Sequence, residues 1–139
     1  MKSKKVDENT YFLRLTRGED VFETITSFLK QEQISCGEVR AIGSLEKYCL
    51  AYYDGKEYLP IQKEEHVELI SLMGNISLKD GEPFPHMHAV ISGITGSCIG
   101  GHVLLGNIVS YVVEVIITKF EETVERKYDP NSNLILWDL

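Results

Sequence analysis

The sequence of 139 residues contains few cysteines and no long apolar segment. Its three cysteines, Cys36, Cys49 and Cys98, are an odd number and form no C-x-x-C pair, which argues against a disulfide framework or a thiolate zinc finger. We therefore expect all three to be small buried apolar residues. No run approaches the roughly 18 to 20 apolar residues that a membrane-spanning helix needs. The first ten residues also lack the apolar stretch of a secretion signal, so we expect a cytoplasmic protein without membrane partners.

Basic residues are scarce relative to acidic ones. The chain has 14 lysines and arginines against 21 aspartates and glutamates, which gives a formal net charge of −7. Proteins gain most of their non-specific affinity for DNA from basic side chains that neutralise phosphates. The nearest approach to a basic cluster, Lys2, Lys4 and Lys5, lies in a terminus that we expect to be frayed over residues 1–9. The charge balance therefore predicts at best weak, non-specific DNA binding.

The residue pattern indicates one helix. Asp20 followed by Glu23 is typical of a helix N-terminus, in which the carboxylate accepts hydrogen bonds from first-turn amides. Apolar residues then recur at helical spacing to about Glu32. This segment is the only one that predicts an amphipathic helix.

The rest of the chain is typical of strands and turns. Asp54-Gly55 predicts a two-residue hairpin loop, residues 80–85 (DGEPFP) predict a loop, and residues 108–120 predict a long strand. With no repeat, linker or low-complexity tract, we expect a single domain over residues 1–139. Its fold class is α+β, with a mostly antiparallel sheet of about seven strands and one main flanking helix.

The segment from Ile108 to Ile117 is apolar on both faces, so one face needs more cover than a single helix provides. Another subunit would supply this cover, which predicts a homo-oligomer. Glu114 interrupts the segment, where an unpaired buried carboxylate would be costly. It is a candidate for orienting a histidine or for acting as a general base. Equally, it faces solvent or a subunit interface, and the sequence leaves these alternatives open.

Three of the four histidines are predicted to converge. His86 and His88 are two residues apart in a strand, so their side chains project from the same face, roughly 6 to 7 Å apart. The segment Ile94-Thr95-Gly96 is typical of a hairpin loop, and a loop centred on Thr95 places His102 opposite His88. A register error of one residue would turn His102 to the other face.

Such a cluster favours a site for zinc or another divalent ion. Three imidazoles that leave one position open are the ligand set of catalytic zinc, whereas structural zinc usually has four protein ligands. The alternative is that His86, His88 and His102 are ordinary surface or hydrogen-bonded histidines. As metal ligands with the reference pKa of about 6.5, they would lose affinity as the pH falls through that value. His66 stands apart, and we interpret it as structural.

Five segments carry a family resemblance: LRLTRGEDVFETITSFL, AIGSLEKYCLAYYDGKEY, HVELISLMGNISLKDGEPFPHMHAVISG, GSCIGGHVLLGNIVSYVVEVII and KYDP. In this order they resemble the plant and prokaryote conserved (PPC) domain over nearly the whole chain, with the H-x-H and G-G-H histidines as the most specific part. The resemblance implies an antiparallel sheet with a flanking helix, a homotrimer, and a metal site at His86, His88 and His102. The same fold group is similar to acetolactate decarboxylase and to a zinc-dependent ester hydrolase, which have histidine-bound zinc.

The chain also departs from the plant members, in which the domain follows an AT-hook. It has no AT-hook core (Arg-Gly-Arg-Pro), and at residues 65–70 (EHVELI) it lacks the Gly-Arg of the plant interaction motif. Bacterial and archaeal members of the family are stand-alone and are commonly labelled DNA-binding.

Three functions are compatible with the sequence, and we rank them from the best supported to the least supported. The first is a stand-alone trimeric domain that binds a metal or a small ligand. The second is a zinc-dependent hydrolase or decarboxylase-like enzyme, and the third is a DNA-binding regulator.

Overall fold

The computed structural model describes all 139 residues and contains one helix and nine strands. The helix α1 spans Val21–Gln31. The strands are β1 (Lys2–Lys5), β2 (Thr10–Thr16), β3 (Gly37–Tyr53), β4 (Tyr58–Lys79), β5 (Glu82–Ser92), β6 (Cys98–Val103), β7 (Ile108–Lys119), β8 (Arg126–Asp129) and β9 (Leu134–Trp137). Seven strands form one antiparallel sheet in the order β1-β2-β7-β3-β4-β5-β6, and β8 and β9 form a separate hairpin. The predicted α+β class with a mostly antiparallel sheet and one helix is confirmed.

The long strand β3 makes the sheet curl back on itself. Its first half pairs with β7, while near its end Leu50 and Ala51 pair with Val103 and His102 of β6. The strands β3, β4, β5 and β6 therefore close into a small barrel-like unit. Register shifts on both sides of Leu45 bend β3 where it leaves β7. Glycine is required at this bend, because a Cβ on Gly43 would lie 2.2 Å from the carbonyl oxygen of Val112.

The helix covers the inner face of the sheet. The side chain of Asp20 accepts a hydrogen bond from the backbone N–H of Glu23 at 2.9 Å, so the predicted N-cap is confirmed. Its second oxygen accepts from the N–H of Gly106 at 2.6 Å, which ties the start of the helix to the turn before β7. The helix buries four apolar residues, Val21, Ile25, Phe28 and Leu29. The hydrophobic core lies between this helical face and the inward side chains of the strands.

The amino terminus is more ordered than the sequence suggests. The expectation of a frayed segment over residues 1–9 is wrong for Lys2–Lys5, which form strand β1 and pair with residues 11–14 of β2. A short, lysine-rich strand is a common way to end a sheet, because its charges discourage pairing with another chain. Four polar residues show no alternation of apolar and polar side chains, so the sequence does not predict this strand.

The predicted loop over residues 80–85 is also wrong. Only Asp80 and Gly81 form the turn, both with positive φ, and Lys79 already pairs with Glu82. The proline-containing start of β5 pairs with β4 alone, since its pairing with β6 begins only at His88. A strand with one free edge tolerates proline, which has no N–H to donate there.

Two smaller expectations also change. The hairpin at Asp54-Gly55 exists, but Tyr53 pairs with Tyr58, so its loop has four residues rather than two. Cys36 and Cys49 are buried as expected, whereas Cys98 is exposed. The single helix is too short and too polar to cross a membrane.

Candidate metal centre

The β5–β6 hairpin brings His102 beside His88. Ser92 pairs with Cys98 across a loop of five residues, 93–97, which is longer than the predicted loop but has the same centre, Thr95. The register continues to His88 opposite His102. The predicted juxtaposition is therefore confirmed.

The three imidazoles form one compact cluster on the outer face of the sheet. The ring centroids of His86 and His88 are 5.2 Å apart, those of His86 and His102 5.0 Å, and those of His88 and His102 5.4 Å. One ring nitrogen from each lies within 4.8 Å of the other two. His86 and His102 are half-buried and His88 is exposed, so the cluster opens to solvent on the His88 side.

The surroundings keep two of these histidines neutral. Burial, together with positive charge on the neighbouring histidines and on Arg126, lowers the pKa of both His86 and His102 to about 4. Metal ligation requires a neutral imidazole, and these two rings are neutral over the whole physiological range. The expectation that protons compete from about pH 6.5 is therefore corrected for these two ligands, for which competition begins near pH 4.

The donor set fits a zinc-like ion. The Nδ1 atom of His102 is buried and has no hydrogen-bond partner in the protein, and a metal bound at this atom would satisfy it. Zinc–nitrogen bonds of about 2.0 to 2.1 Å in tetrahedral geometry hold ligand nitrogens about 3.3 Å apart. The present separation of at most 4.8 Å exceeds this value by at most about 1.5 Å. The cluster contains no carboxylate or thiolate, so three imidazoles would leave one coordination position for another ligand.

Aromatic side chains and two cavities surround the cluster. The ring of Tyr58 stacks on His102 with a centroid distance of 4.7 Å. A cavity of about 570 Å³ adjoins His88 and His102 and includes Tyr52 and Tyr58 in its walls. A second cavity of about 700 Å³ adjoins His86 and His88, and its walls combine apolar residues such as Trp137 with the charged Glu38 and Arg40. His88 lies between the two cavities, so either of them gives access to the cluster.

One functional candidate, Arg126 in β8, is not predicted from the sequence. Its Nη2 atom lies 3.4 Å from Nδ1 of His86 and donates a hydrogen bond to Oδ1 of Asn75 at 2.7 Å. Its Nε atom donates to Oγ of Ser77 at 2.7 Å. No local pattern marks Arg126, because these three side-chain partners are 40 to 51 residues away in the chain. The only available signal was a pair of basic residues, Arg126 and Lys127, in a mostly acidic carboxyl-terminal segment.

Glu114 lies away from the histidines. It is exposed on β7, opposite Arg14 of β2 and Ile42 of β3. The strands β3 and β4 separate β7 from β5, a distance of about 14 Å at the usual spacing of strands. Glu114 therefore does not orient a histidine of its own subunit, and the alternative of solvent or a subunit interface agrees with its position.

His66 also lies apart from the cluster, as expected. Its Nδ1 atom is 2.9 Å from Oγ of Ser110, which is buried. This hydrogen bond gives His66 a structural partner within the protein.

The family model for the Plants and Prokaryotes Conserved (PCC) domain matches residues 2–121. The chain belongs to this family. The match includes all three clustered histidines but ends before Arg126 and the β8–β9 hairpin, so that hairpin lies outside the matched region.

Solved structures agree with this assignment. A PPC protein from Pyrococcus horikoshii is 37% identical, with a TM-score of 0.84 over 94% of this chain and 91% of that one. A metal-containing protein from Archaeoglobus fulgidus is 34% identical, with a TM-score of 0.85 over 96% and 99%. A protein from Bacteroides thetaiotaomicron, named as a candidate DNA-binding protein, has a TM-score of 0.94 over 99% and 96%, but at 24% identity this likeness shows the fold alone.

The chain also matches part of a longer protein. It is 30% identical over 123 residues to the bifunctional protein GlmU of Synechococcus sp. strain JA-3-3Ab. That match covers 86% of this chain but only 19% of the relative. The chain thus spans about a fifth of the length of the curated relatives it matches.

Proposed function

We propose that this PCC domain binds one zinc-like divalent ion through His86, His88 and His102 and presents the open coordination position to a small ligand. The observation that carries the proposal is the convergence of three imidazole nitrogens within 4.8 Å on the outer face of the sheet. The low pKa of two of the rings supports it, because these rings need not lose a proton to bind the metal at neutral pH. The metal-containing relative from Archaeoglobus fulgidus supports it further.

Metal content is the direct test. Protein purified without a metal-affinity tag should contain about one divalent ion per chain by elemental analysis. Removal of this ion with a chelator should lower the melting temperature without unfolding the domain, because a core of this size does not depend on a metal. Protein that stays metal-free after dialysis against micromolar zinc would contradict the proposal.

We further propose that the domain is a homotrimer and that the outer face of the sheet forms the interface. Apolar side chains are exposed on four neighbouring strands of this face: Phe12 on β2, Ile116 on β7, Ile42 on β3 and Met73 on β4. They surround a concavity of about 880 Å³, larger than either cavity beside the histidines. An apolar patch of this kind on a soluble protein marks an interaction site.

Light scattering tests the trimer. At micromolar concentration the mass should be about three times 15.8 kDa. Ile42→Asp should shift the protein toward monomer, because it places a charge in the centre of the patch, whereas the matched change of exposed Tyr128 to Asp on β8 should not. A monomeric mass for the wild type would contradict the proposed trimer.

An enzymatic function has weaker support. The acetolactate-decarboxylase-like fold group, which we propose from the family resemblance, includes zinc-dependent enzymes. However, no carboxylate lies in the cluster and Glu114 is remote, so the cluster itself offers no carboxylate as acid or base. Binding therefore ranks ahead of catalysis.

A DNA-binding function ranks third. Lys2, Lys4, Arg14 and Arg40 line the outer-face concavity, which is the one feature in its favour. The net charge of −7 opposes it, and a trimer that uses this face would cover the same residues. We expect a dissociation constant of roughly 10⁻⁴ M or weaker for duplex DNA at physiological salt, measured by fluorescence anisotropy. Sequence-selective nanomolar binding would overturn this ranking.

A further inference from the structure

Arg126 carries a positive charge that no acidic side chain of the protein compensates. It is half-buried, and none of the seven ion pairs in the structure includes it. Its hydrogen bonds go to neutral groups: Oγ of Ser77 and Oδ1 of Asn75, both at 2.7 Å, and the carbonyl oxygen of Ile135 at 3.1 Å. Hydrogen bonds to neutral groups offset only part of the cost of half-burying a guanidinium, and an anion would offset more of it. In a chain with 21 acidic residues, this lack of a partner calls for an explanation.

The guanidinium is also held in place. It lies over the rings of Phe84 and Trp137, with 5.8 Å from its carbon to each ring centroid. Together with the hydrogen bonds to Ser77, Asn75 and Ile135, these contacts fix its orientation. A positioned guanidinium binds an oxyanion at lower entropic cost than a freely moving one.

Metal binding would release one donor of Arg126. Without metal, Nη2 of Arg126 faces Nδ1 of His86 at 3.4 Å. A metal bound at Nδ1 occupies the lone pair that accepts from Arg126, and a metal bound at Nε2 requires the proton on Nδ1. In either case Nδ1 no longer accepts a hydrogen bond. The N–H of Arg126 then needs another acceptor. In addition, the positive guanidinium lies beside a divalent cation, and the two positive charges repel each other.

We propose that the open position of the histidine site takes an oxyanion, a carboxylate or a phosphate group, and that Arg126 is its counter-ion. Such an anion accepts the hydrogen bond from Arg126 that Nδ1 of His86 can no longer accept. It also compensates the positive charges of Arg126 and of the metal ion. Arginine forms its strongest hydrogen bonds with carboxylates and phosphates. The cavity of about 700 Å³ beside His86 and His88 is lined by Asn75 and Trp137, which hold Arg126. This inference rests on the proposed metal site and identifies the chemical class of its ligand.

The experiment uses the full-length protein loaded with Co²⁺, whose absorption spectrum reports changes of coordination. Acetate, inorganic phosphate and the neutral acetamide are titrated separately. We expect a spectral change with at least one of the two anions and none with acetamide at equal concentration, and the anion that binds more tightly identifies the group. Arg126→Gln should weaken anion binding roughly tenfold or more, as expected for loss of a charged hydrogen-bond donor. Arg17→Gln is the matched control, since it removes the charge of an exposed arginine and should leave anion binding unchanged.

Metal affinity separates this role from a structural one. Without anion, Arg126→Gln should bind Co²⁺ as tightly as the wild type or more tightly, because a positive charge beside the ion has been removed. A merely structural Arg126 would instead lower metal affinity when replaced. If Arg126→Gln fails to fold, the comparison of anions with acetamide on the wild type still decides which class of ligand the open position takes. Acetamide binding as tightly as acetate, or anion affinity that is unchanged in a folded Arg126→Gln variant, would overturn the inference while leaving the metal site intact. Failure to load Co²⁺ at all would overturn the proposed function, and the inference with it.

Discussion

Two histidine environments lie on the same sheet and differ in what their nitrogens contact. His66 on β4 is exposed, and its Nδ1 pairs with the hydroxyl of Ser110. In the cluster, Nδ1 of His102 is buried without any partner, and Nδ1 of His86 has only the distant Nη2 of Arg126. The hydrogen-bonding capacity of a histidine with a good protein partner is satisfied, whereas imidazoles that face one another without such partners leave theirs available to a ligand. The unmet hydrogen-bonding capacity, rather than the presence of histidine, marks the site.

The largest expected effect is on metal content. His88→Ala should reduce bound metal from about one ion per chain to nearly none, because two remaining imidazoles bind zinc far more weakly than three. His66→Ala is the matched control and should retain the full content, since His66 lies outside the cluster. Elemental analysis after dialysis against micromolar zinc measures both. Full metal in His88→Ala, or its loss in His66→Ala, would break the distinction between the two environments.

A smaller effect is expected on the pH dependence of metal affinity. Protons compete with the metal only below the pKa of each ligand, and each protonated ligand then costs about tenfold in affinity per pH unit. The pKa of His86 and of His102 is about 4, so two of the three ligands bind no proton between pH 7 and 5. The logarithm of the association constant should therefore fall by no more than one unit per pH unit in this range.

Competition titrations with a zinc chelator at several pH values measure this slope. His66→Ala should give the same slope as the wild type, because His66 is not a ligand. Three histidines with the reference pKa of about 6.5 would give a slope approaching three units per pH unit below that value. Such a steep slope would show that burial does not lower the pKa of His86 and His102.

The sequence predicts the cluster but not its surroundings, for physical reasons. Alternation along a strand and the centre of a hairpin loop are local properties, and they suffice to place His88 opposite His102. The position of Glu114 depends on the strand order β7-β3-β4-β5, which local patterns do not specify. Arg126 and Trp137 reach the site through the packing of the carboxyl-terminal hairpin, which no spacing rule predicts.

The smallest expected effect concerns the hydrogen bond of His66 with Ser110. Ser110 is only 1% exposed, and its Oγ lies 2.9 Å from Nδ1 of His66. Ser110→Ala leaves the exposed His66 free to bind water, so the free energy of unfolding should fall by only about 0.5 to 1.5 kcal/mol.

The reverse change tests the same bond from its buried end. His66→Ala strands the buried hydroxyl of Ser110 and should cost more, about 1 to 3 kcal/mol. In the double variant no hydroxyl is stranded, so its cost should fall below the sum of the two single changes. Urea unfolding of the metal-free proteins at pH 7 measures the three values, and all three variants should bind metal as the wild type does. If Ser110→Ala proves more costly than His66→Ala, the buried hydroxyl of Ser110 does not depend on His66 for its hydrogen bond. The contrast between a hydrogen-bonded His66 and the unpaired imidazoles of the cluster would then no longer hold.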